Sequence, residues 1–165
     1  WEWLDSNRGE RAKLRRVESG AEAVFTDAFR HLLDKVPELF LQLPKKWSDN
    51  QKLAAVSLMA AVLAHVKKDQ DESSFATQLA SPKYGNEPRM STMRFQQLQK
   101  SNNPEEFFRR VLRAVRLLEG NANVLSLAEN ILHWHDEYFW GVDRSPQKRL
   151  IFCWATDYYR ALKKA

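Results

Sequence analysis

The sequence contains very little cysteine and glycine. Its 165 residues include one cysteine, Cys153, and five glycines. A single cysteine cannot form an internal disulfide and offers no paired thiolates to a metal, which excludes a disulfide-stapled secreted framework and predicts a reducing, cytoplasmic environment. The few glycines form no phosphate-binding loop, and no motif of a Ser or Cys nucleophile is present. The sequence therefore supports neither catalysis nor a cofactor.

Long apolar runs are scarce as well. The longest, residues 53–66, spans 14 positions and includes Ser57 and His65, whereas a membrane-crossing helix needs about 20 apolar residues. We expect this run to form a buried helix. The N-terminal residues have neither the basic nor the apolar region of a signal peptide. Because the chain starts at Trp1 without a methionine, we expect that residues precede it.

The basic charge is concentrated in one segment, residues 89–116. This segment contains two acidic residues, Glu105 and Glu106, and seven basic ones: Arg89, Arg94, Lys100, Arg109, Arg110, Arg113 and Arg116. Its net charge of +5 equals the formal charge of the whole chain, so the other residues balance. A local excess of this kind indicates a surface for a polyanion such as nucleic acid.

Apolar residues recur at helical spacing along almost the whole chain. One early stripe consists of Phe25, Phe29, Leu32, Leu33 and Val36. It ends where Pro37 interrupts the helix, and Ser48 or Asp49 can cap the helix that contains the apolar run. Since no segment alternates with period two, we expect an all-α fold, a bundle of about seven or eight helices.

Residues 69–90 break this pattern with acids, serines and prolines. We expect one domain, residues 1–165, in which 69–90 join two lobes at 1–68 and 91–165. In the second lobe, Asn103 and Pro104 open a helix as N-cap and first residue, and Gly120 closes it.

Two further helices are predicted near the C-terminus. The first runs from about Val124 to Phe139, and its predicted buried stripe is Leu125, Ala128, Leu132 and Phe139. The second starts at Ser145-Pro146, with the stripe Ile151, Trp154, Ala155, Tyr158 and Leu162. We also expect core positions for the aromatic residues of the apolar stripes: Trp3, Phe25, Phe29, Phe107 and Trp154.

The helix after Pro104 carries a stripe of arginines. Steps of about 100° per residue place Arg109, Arg113 and Arg116 in one sector, with Arg110 beside them. Because the apolar residues of this helix cluster on its far side, the arginines should face solvent or a partner. Guanidinium groups can bind phosphates in bidentate fashion. Cations near a helix C-terminus also complement the helix dipole, which offers a simpler explanation of Arg113 and Arg116.

Two smaller basic groups lie outside this segment. Lys148 and Arg149 are predicted at the start of the last helix, where cations oppose the dipole unless something compensates, such as a bound phosphate. Residues 8–16 include the Arg15-Arg16 pair, but nearby acidic residues dilute their charge, and a solvated helix face explains them equally well.

One cluster resembles an active site. His133, His135 and Asp136 could indicate a metal-dependent phosphohydrolase. On a helix, however, His133 and His135 lie about 200° apart and cannot bind one ion together. We therefore expect no metal site and interpret both histidines as helix-packing residues.

Taken together, these segments resemble the CasB family, the small subunit of the type I-E CRISPR effector complex called Cascade. The similarity covers most of the chain. It consists of Trp3-Leu4 and Arg8-Gly9 followed by Ala12, Leu14 and Arg15-Arg16; residues 75–80 before a variable loop; Arg94-Phe95-x-x-Leu98; Leu112-Arg113-x-x-Arg116-Leu117-Leu118; Leu127-Ala128 to Trp134; and Trp154 to Tyr159.

The resemblance implies a non-catalytic helical protein that pairs with a second copy inside an RNA-guided complex, where it holds target DNA and the displaced strand. Base pairing reads the sequence in such complexes, while protein surfaces grip the backbone. Where the resemblance predicts a basic residue after Trp47, Gln51 stands before Lys52. Carried over by position, the DNA-facing set is Arg16, Arg94, Lys100, Arg113 and Arg116, with Lys148 and Arg149 as additions.

Three hypotheses of function therefore stand. The first is a sequence-independent nucleic-acid-binding subunit of Cascade that contacts target DNA, the displaced strand and crRNA, together with other Cascade subunits. Its candidate residues are Arg15, Arg16, Lys52, Arg94, Lys100, Arg109, Arg110, Arg113, Arg116, Lys148 and Arg149. The second is a helical adaptor whose basic face docks an acidic protein, and the third is the metal phosphohydrolase.

Overall fold

The computed structural model describes residues 1–163, with the backbone alone for Lys83 and Tyr84. The all-α prediction is confirmed: the described residues form eleven α-helices, seven of them long, and a few very short strands. The chain divides into two compact units, Trp1–His65 and Val66–Ala165. None of the described helices is both long and apolar enough to cross a membrane.

The first unit consists of helices alone. These are α1 (Glu2–Ser6), α2 (Arg8–Leu14), α3 (Gly20–Ala23), α4 (Asp27–Lys35), α5 (Glu38–Gln42) and α6 (Asp49–Leu63). α3 packs closely on α6, and a Cβ atom added to Gly20 would lie 2.7 Å from the Cα atom of Leu58. Arg11 in α2 donates from Nε to the carbonyl of Ala64 (2.9 Å) and pairs through Nη1 with Asp5 (2.8 Å). These contacts tie the N-terminal helices to the end of α6.

The predicted buried helix is confirmed as α6. Ser48 is its N-cap and forms a capping box with Gln51: the Ser48 hydroxyl accepts from the Gln51 amide (3.3 Å), and the Gln51 side chain accepts from the Ser48 amide (2.9 Å). All residues from Ala55 to Leu63 are buried, as expected of a helix that is apolar on every face. Gln51, which stands where the resemblance predicts a basic residue, thus has a local structural role.

The second unit contains five helices and four short strands within its described part. The helices are α7 (Phe75–Ala80), α8 (Thr92–Gln99), α9 (Pro104–Leu117), α10 (Val124–Trp140) and α11 (Leu150–Leu162). The strands are β1 (Lys68–Asp69), β2 (Pro82–Tyr84), β3 (Glu87–Pro88) and β4 (Asn121–Ala122). β1 pairs in parallel with β4, and β2 pairs with β3 as a hairpin. Residues 69–90 therefore lie inside this unit.

Aromatic stacking organises the core of the second unit. Phe107 of α9 stacks on Trp134 of α10, with ring centroids 4.1 Å apart, and Phe95 of α8 stacks on Tyr158 of α11 at 3.9 Å. The hydroxyl of Ser74, the N-cap of α7, donates to the carboxylate of Asp157 in α11 (2.6 Å). Phe107 also lies against Trp154 of α11, with ring centroids 6.4 Å apart, and this contact links the α9–α10 pair to α7, α8 and α11.

The prediction that Phe25 belongs to the core is wrong. Its side chain is 88% exposed, because α4 begins only at Asp27, with the Thr26 hydroxyl accepting from the Phe29 amide as N-cap. Phe25 lies in the turn before this helix and does not share its stripe. Phe29, two residues inside the helix, is buried as predicted.

The predicted buried stripes of α10 and α11 are also partly wrong. In α10, Leu125 and Phe139 are exposed, and the buried residues are Leu127, Ile131, Trp134 and His135. In α11, Trp154 and Tyr158 are buried as predicted, but Ile151 is 47% exposed and Leu150 is buried in its place. Both helices carry apolar residues on several faces, and the packing of Trp134 on Phe107 selects the face of α10 that is buried.

Candidate nucleic-acid interface

Local signals fix α9, the helix that carries the arginine stripe. The Asn103 side chain accepts from the Glu106 amide (2.9 Å) and Pro104 is the first residue, so the predicted start is confirmed. After the C-cap Leu118, both Glu119 (φ 59°) and Gly120 (φ 84°) have positive φ, and the Gly120 amide donates to the carbonyl of Val115 (3.0 Å), so the chain leaves the helix at the predicted end. Arg109, Arg113 and Arg116 are exposed on one face of α9.

α8 and α9 form a groove of about 410 Å³ between them. Arg94 projects from α8 into this groove, and Arg113 and Arg116 project into it from α9. Apart from these three cations, it is lined by Met90, Gln97, Leu98, Arg110 and Leu117. The structure therefore brings together basic residues of α8 and α9, the two helices within the basic segment 89–116.

The three groove arginines make no hydrogen bond or ion pair through their side chains with any residue that the structure describes. Arg94, Arg113 and Arg116 are exposed. Like charges that share a groove repel one another, and among the described residues no carboxylate lines this groove to offset them. The groove therefore presents a positive field and free guanidinium donors to an anion.

Arg110 has a different environment from its neighbours. Its guanidinium pairs with Glu106 one turn earlier (2.6 Å) and donates to the carbonyl of Gln97 and to the hydroxyl of Ser101 (3.3 Å). Gln97 belongs to α8 and Ser101 to the loop after it, so Arg110 fastens α8 to α9. Its charge is balanced within the protein, and its contribution to the groove is to hold the two walls together.

Lys100 and Arg109 complete the predicted residues of the basic segment. Lys100 is the C-cap of α8, and both side chains are exposed. Neither residue lines the groove. They add to the positive field around it without forming its wall.

Lys148 and Arg149 lie at the start of the last helix, as predicted, but just before its first turn. Pro146–Lys148 form a 3-10 turn, and α11 begins at Leu150 with Arg149 as its N-cap. Arg149 donates from Nε to the carbonyl of Asp143 (2.8 Å), and the carboxylate of Glu137 accepts from the Leu150 amide (2.9 Å). Glu137 thus supplies the negative charge that the N-terminus of α11 favours, with no phosphate required.

The remaining candidates, Arg15, Arg16 and Lys52, belong to the first unit. Arg15 is the C-cap of α2 and Arg16 follows it, both exposed, while Lys52 is half-buried in the first turn of α6. None of the three makes a side-chain hydrogen bond or ion pair with a described residue.

The histidine cluster is part of the α10 packing. His133 contacts the carboxylate of Glu137 through Nε2 (3.2 Å), whereas His135 is 1% exposed and lies against the ring of Phe139. Within residues 1–163, no group of three or more metal-ligating side chains is close enough to hold an ion.

Sequence reasoning missed the apolar lining of the groove, formed by Met90, Leu98 and Leu117. A local signal for Met90 exists, because it precedes the N-cap Ser91 while Phe95 occupies the fourth helical position, the pattern of a hydrophobic staple. The Tyr158 hydroxyl donates to the Met90 carbonyl and holds this wall in place. Burial raises the pKa of Tyr158 above its ordinary value of 10.0.

These features define an all-helical protein with a positively charged groove between two helices. A family model described as "CRISPR-associated protein Cse2" matches residues 10–159, and the chain belongs to this family. Cse2 and CasB designate the same family, so the resemblance is confirmed and the chain is a subunit of a CRISPR Cascade complex. No curated protein and no solved structure gives a significant match.

Proposed function

We propose that this chain is a non-catalytic Cascade subunit that binds nucleic acid without sequence specificity. It stabilises target DNA and the displaced strand while the crRNA-guided R-loop forms during antiviral defence in the cytoplasm. The observation that carries the proposal is the convergence of Arg94, Arg113 and Arg116 on one groove without acidic partners among the described residues.

Phosphate is the anion that this arrangement fits best. Each guanidinium offers a planar pair of donors that matches two phosphate oxygens. Arg113 and Arg116 lie almost one helical turn apart, a rise of about 4.5 Å, and Arg94 adds a donor group from the opposite helix. Binding a phosphate backbone relieves the repulsion among the three cations. Since guide pairing reads the sequence in Cascade-like complexes, a grip on the backbone is sufficient.

The remaining candidates lie outside the groove. In the second unit, Lys100 and Arg109 would reach phosphates beside it, with Lys148 and Arg149 as weaker additions because Arg149 already has an internal acceptor. In the first unit, Arg15, Arg16 and Lys52 are separate candidates for contact with nucleic acid. The partners in this proposal are target DNA, the displaced strand, crRNA, other Cascade subunits and a second copy of the chain.

The test is the salt dependence of DNA binding by a triple variant, R94A/R113A/R116A. Each phosphate contact contributes about 0.7 to 0.9 to the slope of log K against log salt, so we expect the slope to fall by roughly 2 to 3. Affinity at low salt falls with it. Fluorescence anisotropy with a labelled oligonucleotide between about 50 and 200 mM salt, a range over which counterion release changes affinity strongly, measures both.

The matched control removes the same number of charges elsewhere. Arg8, Lys35 and Lys45 are exposed in the first unit, and their side chains make no hydrogen bond or ion pair with a described residue. The variant R8A/K35A/K45A has the same net charge as the groove variant and should keep almost all of the slope. Equal losses in the two variants would show that binding follows net charge alone and would overturn the proposal.

The adaptor hypothesis makes a different prediction for the same surface. A protein partner usually requires an aromatic or apolar anchor that fills a central pocket, and none of the described residues that line the groove is aromatic. If the groove variant lost an acidic protein partner while its DNA affinity stayed unchanged, the adaptor would replace the DNA-binding subunit as the function.

A further inference from the structure

The end of α10 and the start of α11 enclose a second pocket, of about 320 Å³. Its rim is formed by Tyr138 of α10, Val142 just after that helix and Ile151 of α11. These three side chains are 44%, 55% and 47% exposed, so each of them offers apolar surface to a ligand. The buried rings of Trp134 and Trp154 lie at the bottom. This pocket, which we call the α10–α11 pocket, thus has the aromatic lining that the basic groove lacks.

Hydrogen bonds hold the walls of the α10–α11 pocket together. Gln99 at the end of α8 donates from Nε2 to the Ile151 carbonyl (3.2 Å). The carboxylate of Glu137 in α10 accepts from the Leu150 amide at the start of α11 (2.9 Å). Because these contacts already fix the three helix ends, a ligand that enters the pocket has little of the protein left to order.

The charge of the α10–α11 pocket is opposite to that of the basic groove. Among the described residues that line it, Glu137 is the only charged one, whereas four arginines line the groove. The carboxylate repels a phosphate, and no described cation in the lining offsets this repulsion. A positive charge beside an apolar group is attracted instead. The pocket therefore suits a polypeptide segment in which an apolar side chain lies next to a lysine or an arginine.

We propose that another protein subunit of the Cascade complex docks here, with an apolar side chain in the α10–α11 pocket and a cation of the same segment beside Glu137. Protein interfaces derive most of their binding energy from a few such anchors in pockets, and tyrosine and tryptophan are over-represented there. The pocket volume lies near the lower end of the roughly 300 to 1,000 Å³ of small-molecule sites, which fits a single side chain. The inference goes beyond the proposed function, because it assigns a protein partner to residues outside the basic groove.

A second copy of the chain suits the pocket less well. Two concave pockets that face each other across a two-fold axis do not fill each other. The most exposed apolar side chains of the first unit, Phe25 and Leu41, would enter the pocket of a second copy through a heterologous contact, which leaves one pocket of a pair empty. Neither residue has a lysine or an arginine next to it in the sequence.

The first experiment measures docking of the full-length chain to a complex assembled from the other Cascade subunits and crRNA. Y138S/I151S removes two sides of the rim and should weaken docking by about 30-fold or more, the effect of losing one interface hot spot. L125S/F139S is the matched control, because it also replaces one aromatic and one aliphatic exposed side chain, both in α10 and outside the pocket. It should dock like the unmodified chain. Unchanged docking of Y138S/I151S, or equal losses in the two variants, would overturn the proposal.

The second experiment identifies the occupant in the assembled complex. The photoreactive residue p-benzoylphenylalanine replaces Tyr138, an aromatic residue for an aromatic one, and the same residue at position 125 is the control. On irradiation, we expect position 138 to give a covalent product with another protein subunit and position 125 to give none. A product of position 138 with nucleic acid, a product with a second copy, or no product would each overturn the proposal.

Oligonucleotide binding by the isolated chain separates this inference from the proposed function. Y138S/I151S should bind the labelled oligonucleotide like the unmodified chain, because its two substitutions lie outside the groove. Lost docking with unchanged oligonucleotide binding supports the α10–α11 pocket, whatever the groove variant R94A/R113A/R116A does. If Y138S/I151S loses both affinities through a general effect on the fold, the cross-link from position 138 decides.

Discussion

Arg110 and Arg113 lie one turn apart on the same helix but have opposite roles. Glu106 stands four residues before Arg110 and reaches it across one turn, whereas the residue four before Arg113 is another arginine, Arg109. Arg110 is thereby neutralised and holds α8 against α9. Arg113 has no such partner among the described residues and lies exposed in the groove. The position of Glu106 in the first turn thus determines that Arg110, and not Arg113, is paired within the fold.

The Tyr158 hydroxyl holds Met90, a residue of the groove wall, in place. We expect the contribution of this hydroxyl to the free energy of unfolding to depend on pH. Y158F loses the hydrogen bond to the Met90 carbonyl, which should lower the free energy of unfolding by about 1 to 2 kcal/mol at neutral pH. Because burial raises the pKa of Tyr158 in the folded state, ionisation favours the unfolded chain, and the stability of the unmodified protein falls as pH rises above about 10.

The difference between the two proteins should therefore shrink as pH increases from 8 to 11. Urea unfolding at several pH values measures this, and the remaining titratable groups cancel because both proteins contain them. A difference that stays constant through this range would contradict the assignment of the pKa shift to the buried phenol.

At the scale of the elements, local signals explain why α9 could be predicted from end to end. Asn103, Pro104 and Gly120 act on their own neighbours, so the sequence alone determines where the helix begins and ends. The buried face of α10 could not be predicted in this way, because Leu125 and Phe139 match the helical period as well as Leu127 and Ile131 do. Only the stacking of Trp134 on Phe107, a contact between distant residues, decides between them.

The candidate groove was predictable to a similar extent. The charge count correctly located an excess of basic residues on the segment that forms both walls, and the helical period placed Arg113 and Arg116 on one face. Sequence could not place Arg94 opposite them, since that depends on how α8 packs against α9. It also gave no indication that Arg110 would be occupied by the Gln97 carbonyl and the Ser101 hydroxyl.

The close packing of α3 on α6 leads to a prediction about two glycines. In G20A, the new methyl group would lie 2.7 Å from the Leu58 Cα atom, a backbone position that cannot yield easily, and we expect a loss of about 1 to 3 kcal/mol of stability. G9A is the matched control, because Gly9 lies within α2 with no atom within 4 Å of the added Cβ. It should gain about 0.5 to 1 kcal/mol.

Chemical denaturation of the two variants tests this packing. The expected result is opposite signs for the same glycine-to-alanine change. Two variants that shifted stability in the same direction by similar amounts would show that helix propensity, and not the contact with Leu58, dominates at residue 20.

At the scale of the whole molecule, the charge is unevenly divided between the two units. Residues 1–65 contain ten basic and nine acidic residues, whereas residues 66–165 contain sixteen basic and twelve acidic ones. Four of the five net positive charges therefore belong to the unit that contains the groove. The long-range field that attracts a polyanion should originate mainly from this unit.

Nucleic-acid binding should also stabilise the whole chain. Single-stranded DNA at 100 times its Kd should add about 2.7 kcal/mol to the free energy of unfolding, which corresponds to roughly 5 to 10 °C in Tm for a chain of this size. Differential scanning fluorimetry measures the shift. R94A/R113A/R116A should show a much smaller one at the same DNA concentration, and an undiminished shift would mean that DNA binds the folded chain elsewhere.

The parallel pairing of β1 with β4 has a consequence for the order of folding events. Lys68 pairs with Asn121, 53 positions later, and every residue that lines the groove lies in the loop of chain between them. Closing such a loop costs conformational entropy before any contact is gained, so it tends to be slow. A nascent or partly folded chain would carry all of its arginines without the cleft that aligns them. The chain would then become able to bind nucleic acid only late in folding, after β1 and β4 have paired.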